Sequence, residues 1–269
     1  LADQMGEQAV RGVGGTRNCD WWFTDQAVLI DTAGRFVTQD SDTANDKATW
    51  SGFLQLLKKS RPRQPLNGVL VTVAVSDLIA KSPADRARHA QAVRARVQEL
   101  HEQLSVRLPI YLLVTKCDLM AGFAESFAAL DKEQRGTPWG FTVGLDGPSA
   151  QAAFGGEFEA LLQRLNDGLV DRLQAEPDAQ RRARIYGFPN QFANLREVLQ
   201  EFVQQVFSPS AFEANPMLRG VYFVSGTQEG SPIDRVLGSV ARRYMLEQAV
   251  LPAQQSSGRS FFLSRLLTD

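Results

Sequence analysis

Hydrophobic residues along the chain fall into two alternating patterns, short continuous runs and longer stripes at helical spacing. Trp21-Trp22-Phe23 and Ala27-Val28-Leu29-Ile30 are short runs separated by Thr24-Asp25-Gln26, which predicts a tight hairpin. From Asn45 to Lys59, Trp50, Phe53, Leu54 and Leu57 recur at helical spacing. Gly68 to Val75 is a Val/Leu run, as expected of a strand buried on both faces. Ser82-Pro83-Ala84-Asp85 reads as a helix start, with a capping Ser, Pro at the first position and an acid in the first turn. Ala90, Val93, Val97, Leu100 and Leu104 continue that helix, Pro109 ends it, and Ile110 to Val114 is a second buried strand. Strand, helix, strand in this order implies right-handed parallel crossovers. The expected fold is therefore an α/β sheet, mostly parallel, with helices on both faces.

Beyond Asp118 the stripes lengthen. Phe123 to Leu130 predicts a short helix; Phe154, Phe158, Leu161, Leu165 and Leu169 a long one; Phe192, Leu195, Leu199, Phe202 and Val206 another. Ile185 to Pro189 is too short to assign. Gly220 to Val224 is strand-like, and Ser231-Pro232-Ile233-Asp234 repeats the Ser-Pro helix start ahead of Val236, Leu237, Val240 and Tyr244. Pro252 to Ser260 reads as a linker, and Phe261-Phe262-Leu263 with Leu266-Leu267 as the start of a helix. The expected organisation is an α/β domain from 1–120 and 219–250, a mainly helical insertion at 121–218, and a linker leading into a following helical region at 251–269.

Composition narrows the function classes. A chain of 269 residues with 43% hydrophobic and 22% charged residues is ordinary for a globular protein. Its formal net charge of −1 gives no electrostatic footprint for nucleic acid. The basic runs Lys58-Lys59-Ser60-Arg61-Pro62-Arg63 and Arg181-Arg182-Ala183-Arg184 carry no interleaved aromatics and read as solvated charge. Cys19 and Cys117 stand far apart, and His89 and His101 lie in one helical pattern, so no zinc or disulfide framework is indicated. The longest apolar stretch, Gly68 to Ala80, is too short to span a membrane and is broken by Ser76 and Asp77. The chain opens on Leu1 and stops inside an apolar pattern, so both ends are expected to continue in a longer protein.

Ligands of parallel α/β sheets bind at the carboxyl ends of the strands, and three polar clusters fall at such ends. Asp31-Thr32-Ala33-Gly34 follows the hairpin: an Asp there suits Mg²⁺ held through water, and the Gly amide suits a terminal phosphate. Thr115-Lys116-Cys117-Asp118 follows the second buried strand. Its Asp suits two hydrogen bonds from a guanine edge, with the Lys stem over the ring. Ser225-Gly226-Thr227 follows the third and offers amides to a base oxygen. Each cluster alone matches by chance in many proteins. Their order and strand-end placement point to a GTPase-type fold, against loop and capping residues of some other α/β sheet. Thr16 is either a switch residue meeting Mg²⁺ with Asp31 or a turn residue beside Gly14-Gly15.

No G-x-x-x-x-G-K-[ST] occurs anywhere, so the phosphate loop of such a fold, with its strand, would precede residue 1. Arg35 occupies the position after Gly34 where Ras-like proteins carry a water-orienting Gln. A guanidinium cannot take that role, so at most slow hydrolysis is expected, and no catalytic residue is assigned.

Arg11-Gly12-Val13-Gly14-Gly15-Thr16-Arg17-Asn18-Cys19-Asp20-Trp21-Trp22-Phe23, followed by Asp31-Thr32-Ala33-Gly34-Arg35-Phe36 and Thr38-Gln39-Asp40-Ser41, strongly resembles the IcmF/TssM family. Gly187-Phe188-Pro189 with Gln191-Phe192, Arg219-Gly220-Val221-Tyr222-Phe223 with Ser225-Gly226-Thr227-Gln228-Glu229-Gly230, and Gly258-Arg259-Ser260-Phe261-Phe262 agree with it. The resemblance implies an inner-membrane protein of type VI secretion, of which this region is a cytoplasmic GTPase-like domain upstream of a large periplasmic part. It implies the partners TssL, the lipoprotein TssJ and the baseplate, with membrane attachment through segments outside this chain. Family members usually carry a phosphate loop before this region. GTP or ATP with Mg²⁺ is thus expected only in the longer protein, and no cofactor in this chain alone. The expected role is scaffolding of assembly and baseplate docking. The alternative is an NTP-hydrolysing switch, and a small-molecule enzyme of flavodoxin-like kind lacks any cofactor motif.

Overall fold

The computed structural model describes residues 19–24, 27–34, 43–144, 146–211, 215–226 and 260–267. The hairpin forms as the pattern predicts. Strands β1 (Asp20–Phe23) and β2 (Val28–Asp31) pair antiparallel with Trp21 opposite Ile30. Thr24 closes the turn, its amide donating to the Ala27 carbonyl at 2.9 Å while its hydroxyl oxygen accepts from the Ala27 amide at 2.9 Å.

The main sheet is built from β3 (Val69–Ala74), β4 (Pro109–Thr115), β5 (Gly140–Thr142) and β6 (Met217–Phe223) in the spatial order β3-β4-β6-β5. β3, β4 and β6 run parallel, consistent with their mostly apolar residues, although Thr72 of β3 is exposed, and β5 joins β6 antiparallel. The sheet is therefore mixed. The antiparallel strand escapes sequence reading because three residues are too few to establish a period. Its pairing needs glycine on both strands: a Cβ on Gly140 would lie 2.2 Å from the Val221 carbonyl oxygen, and one on Gly220 would lie 2.8 Å from that of Phe141. Among the described residues, the hairpin and the main sheet are separate.

Helix α1 (Thr43–Ser60) leads to β3, which passes without a loop into the short α2 (Val75–Ala80). α3 (Pro83–Leu104) starts where the sequence places it. The Ser82 hydroxyl accepts from the Asp85 amide, and Ser105 ends the helix in the left-handed region at φ 58°. α4 (Phe123–Ser126) is shorter than its stripe suggested, and α5 (Lys132–Gly136) follows with a capping box from Asp131 and Gln134. The long stripe after residue 150 divides at Gly168 into α6 (Ala150–Asp167) and α7 (Leu169–Ala175).

The unassigned run Ile185–Pro189 lies inside α8 (Ala179–Ala193), which continues through Pro189. Proline cannot donate there, so propensity alone would break the helix. Burial of Ile185, Phe188 and Phe192 on one face holds it together instead. α9 (Leu195–Phe207) then packs on α3 and leads to β6. Arg94 of α3 donates to the Ser208 carbonyl at 3.0 Å, just beyond the end of α9.

Two apolar cores result. The larger joins the sheet to α2, α3, α4, α6, α8 and α9, so the helices between β4 and β6 share one interior with the strands. The rings of Phe158 and Phe192 stack parallel at 4.5 Å, and Phe223 stands edge-on to Phe192 at 4.9 Å. The smaller core gathers Ala33, Trp50, Leu54, Leu57, Leu100, Leu104 and Leu108.

One expectation is corrected outright. Phe261 and Phe262 do not begin a helix: both are 4% exposed and fill the larger core beside Phe123 and Phe127. Apolar spacing alone could not separate a helix start from a short docked segment. The helix predicted from Ser231 and the linker up to Arg259 lie outside the described residues.

Candidate nucleotide-base site

The turn after β4 is stitched to the end of β6. The Cys117 amide donates to the Val224 carbonyl at 3.2 Å, and the Val224 amide donates to the Val114 carbonyl at 2.9 Å. Lys116 makes the bend in the left-handed region at φ 59°, a conformation that a non-glycine residue adopts only where surrounding contacts hold it. Cys117 to Leu119 then form one 3-10 turn. The Thr115 hydroxyl turns back to the Val73 carbonyl at 3.4 Å, tying β4 to β3.

This stitching brings together residues that are distant in sequence. The Ser225 hydroxyl, fully buried, donates to Asp118 Oδ1 at 2.5 Å. Burial raises the Asp118 pKa above the ordinary carboxylate range, while the Ser225 hydroxyl and the nearby Lys116 charge pull it back. Cys117 is fully buried, and desolvation pushes its thiol up so far that it stays a neutral core residue. Asp118 is thus oriented but only partly neutralised. A carboxylate held by the Ser225 hydroxyl and its own backbone amide, beside a lysine and at a strand end, is suited to accept further hydrogen bonds from a ligand's N–H edge.

Of the residues singled out in the sequence, Thr115, Lys116, Asp118, Ser225 and Gly226 lie at the ends of neighbouring strands. Asp31 ends β2 on the separate hairpin. The residues around it, Cys19, Ile30 and Ala33, belong to the smaller core, whereas Cys117 and Val224 belong to the larger. A Cβ placed on Gly34 would meet open space. Thr16, Arg35 and Thr227 lie outside the described residues, so the Mg²⁺ role considered for Thr16 with Asp31 has no geometry. Among the described residues no group of three or more His, Cys, Asp or Glu is placed to hold a metal. Nor, among them, is any helix long and apolar enough to cross a membrane.

The structure adds two features that sequence reasoning missed. Glu125 of α4, with 3% of its side chain exposed, pairs with Arg184 of α8 at 2.8 Å. Gly122 makes that approach possible, since at φ 87° any Cβ there would lie 2.2 Å from the Arg184 carbonyl oxygen. The other feature is at Ser225 itself, whose amide and carbonyl both pair with Phe261 at 3.0 and 2.8 Å. The recurrence of Ser260-Phe261-Phe262 in the family pattern was the available signal for that contact, though it carried no role.

Residues 43–269 match the model of the IcmF-related N-terminal domain family. The chain belongs to that family. It is 56% identical over 273 aligned residues to the type VI secretion system component TssM1 of Pseudomonas aeruginosa. That alignment takes in all of this chain and 25% of TssM1. No solved structure matches the chain. The IcmF-related match begins at Thr43, at the start of α1, and takes in Asp118 and Ser225 but not the hairpin that carries Asp31.

Proposed function

We propose that the chain is a cytoplasmic domain of a TssM-type subunit in a type VI secretion membrane complex. Segments outside it hold it at the bacterial inner membrane, and it acts as a scaffold for assembly and baseplate docking. The observation that carries this reading is its 56% identity to TssM1 along its whole length. Its partners in this reading are TssL, TssJ and baseplate components.

The fold supports a GTPase-like ancestry. Thr115-Lys116-Cys117-Asp118 follows β4 and Ser225-Gly226 follows β6, two neighbouring parallel strands. The hairpin carrying Asp31 stands apart from β3, as it would if a strand leading to a phosphate loop belonged between them. In this reading Lys116, Asp118 and Ser225 are the base half of a nucleotide site. The chain holds no glycine-rich lysine loop for phosphates. Most of a nucleotide's affinity in such a fold comes from loop amides and a lysine around the phosphates. Arg35 stands where a water-orienting Gln would follow Gly34, so scaffolding fits these residues better than rapid turnover.

Two alterations in the full-length protein test this. Deleting residues 43–226 abolishes secretion and complex assembly, while Asp118→Ala leaves both near normal. Normal secretion after the deletion overturns the proposal. Loss of secretion in Asp118→Ala, with the complex still assembled and GTP or ATP bound by wild type through an upstream loop, replaces the scaffold with an NTP-driven switch.

A further inference from the structure

We propose that Ser260–Leu267 is a latch whose docking sets the geometry of the Asp118–Ser225 pair. As far as it concerns nucleotide, the inference rests on the reading above; the latch itself does not.

Among the described residues, the segment bridges to Ser225. The Ser225 amide and carbonyl both pair with Phe261, and its hydroxyl meets Asp118 and the Gly226 carbonyl. Ser225 therefore joins the segment to the turn after β4. Its hydroxyl reaches Asp118 only while its backbone is held, and on that side Phe261 holds it.

The segment is anchored by rings, backbone hydrogen bonds and the apolar side chains of Leu263 and Leu266, which pack on the larger core. The Phe261 and Phe262 rings insert among Phe123, Phe127 and Trp139, with centroids 5.5 Å apart for Phe123–Phe261 and 5.0 Å for Phe127–Phe262. The Phe262 amide donates to the Arg135 carbonyl at 2.5 Å, and the Arg265 amide to that of Gly136 at 3.1 Å. The Arg135 guanidinium lies 6.0 Å over the Phe261 ring. Arg265 and Glu133 make only a loose surface pair at 3.7 Å.

Phe262 sits in the left-handed region at φ 62°, where a bulky side chain is strained. Strain of this kind persists only where surrounding contacts over-determine it, and it is released when they let go. The segment, with Leu263 and Leu266 also packed on the larger core, docks as one unit around this strained residue. Leaving would take from Ser225 both of its backbone partners. Through linkage, a ligand that favours the Asp118–Ser225 geometry also favours the docked segment, and the reverse holds equally.

Amide hydrogen exchange on the full chain tests the latch without nucleotide. In Phe261→Ala the Ser225 and Cys117 amides exchange at least tenfold faster, while those of β3 keep their wild-type rates. Phe261→Leu, which retains apolar bulk, shows the same pattern with a smaller factor. In Asp118→Ala the Phe261 amide exchanges faster, as reciprocity requires. The proposal is overturned if Ser225 stays protected in Phe261→Ala, if β3 loosens by the same factor, or if Phe261 does not respond to Asp118→Ala. Titration of the upstream-extended protein with Mg·GTP adds a separate arm, in which Phe261→Ala weakens binding at least fivefold. Equal binding by both proteins overturns the coupling. No binding by wild type defeats the nucleotide reading alone, and the exchange rates still decide the latch.

Discussion

Asp118 stands over the larger core and Asp31 beside the smaller one, and the two regions are built differently. Around Asp118 the strands β4 and β6 pair parallel up to Val114 and Phe223, the turn is cross-linked by backbone hydrogen bonds, and an aromatic cluster lies beneath. Around Asp31 the hairpin rests on Ala33, Trp50 and the leucines of α1 and α3, while Trp21, Phe23 and Val28 are 46%, 74% and 49% exposed. A local hairpin needs few long-range contacts to form, whereas parallel strands form only when the whole sheet does. The Asp118–Ser225 edge is thus bound to global folding, and the Asp31 turn to a local element with little interior of its own.

Substitutions in the two cores separate them. Phe192→Ala removes a ring stacked on Phe158 and edge-on to Phe223, and is expected to cost about 3–5 kcal/mol in chemical denaturation. The Asp118–Ser225 edge should melt with the rest of the sheet; if it stays protected from exchange after that loss, the two regions are not distinguished as argued.

Arg184→Ala leaves the Glu125 carboxylate buried without its guanidinium and should cost about 3 kcal/mol. Glu125→Gln in the same background is expected to recover part of that. A loss within experimental error for Arg184→Ala would mean that α8 and α4 are held by their apolar faces alone.

Leu54→Ala opens a cavity in the smaller core, where Leu54 is fully buried, at a cost of about 2–3 kcal/mol. Its effect on exchange should be confined to α1, the hairpin and the end of α3. Equal loosening at Ser225 would show one cooperative interior instead of two.

The smallest effect belongs to Asp118→Asn. Its folded pKa is raised, so the folded state binds its proton more readily than the unfolded state does. The associated stability is full below the ordinary Asp range and is lost as pH rises through the raised value. Asparagine keeps a side-chain oxygen for the Ser225 hydroxyl without the buried charge. The variant should therefore match wild type in acid and exceed it at neutral pH by well under about 1 kcal/mol, because solvent still screens part of the carboxylate. Lower stability at neutral pH, read from denaturant midpoints, would show that the Asp118 charge has a stronger partner than Ser225 or Lys116.

Some of this was legible in the residues alone. Ser82-Pro83 fixed the start of α3 because a cap and a proline act locally, and the mostly apolar runs marked β3, β4 and β6 because strands of a parallel sheet are largely buried. The polar clusters ending at Asp118 and Ser225 could be placed at strand ends for the same reason. β5 could not be found, since it exists only where Gly140 and Gly220 let two backbones meet. Pro189 inside α8 contradicts local propensity and is carried by tertiary burial. Phe261 and Phe262 have the spacing of a helix start, yet their place is decided by an aromatic interior assembled from residues 123 to 223. Local signals are set by neighbours a few positions away and survive in any fold. The contact of Phe261 with Ser225, and through it with Asp118, spans residues that only the folded sheet brings within hydrogen-bonding distance.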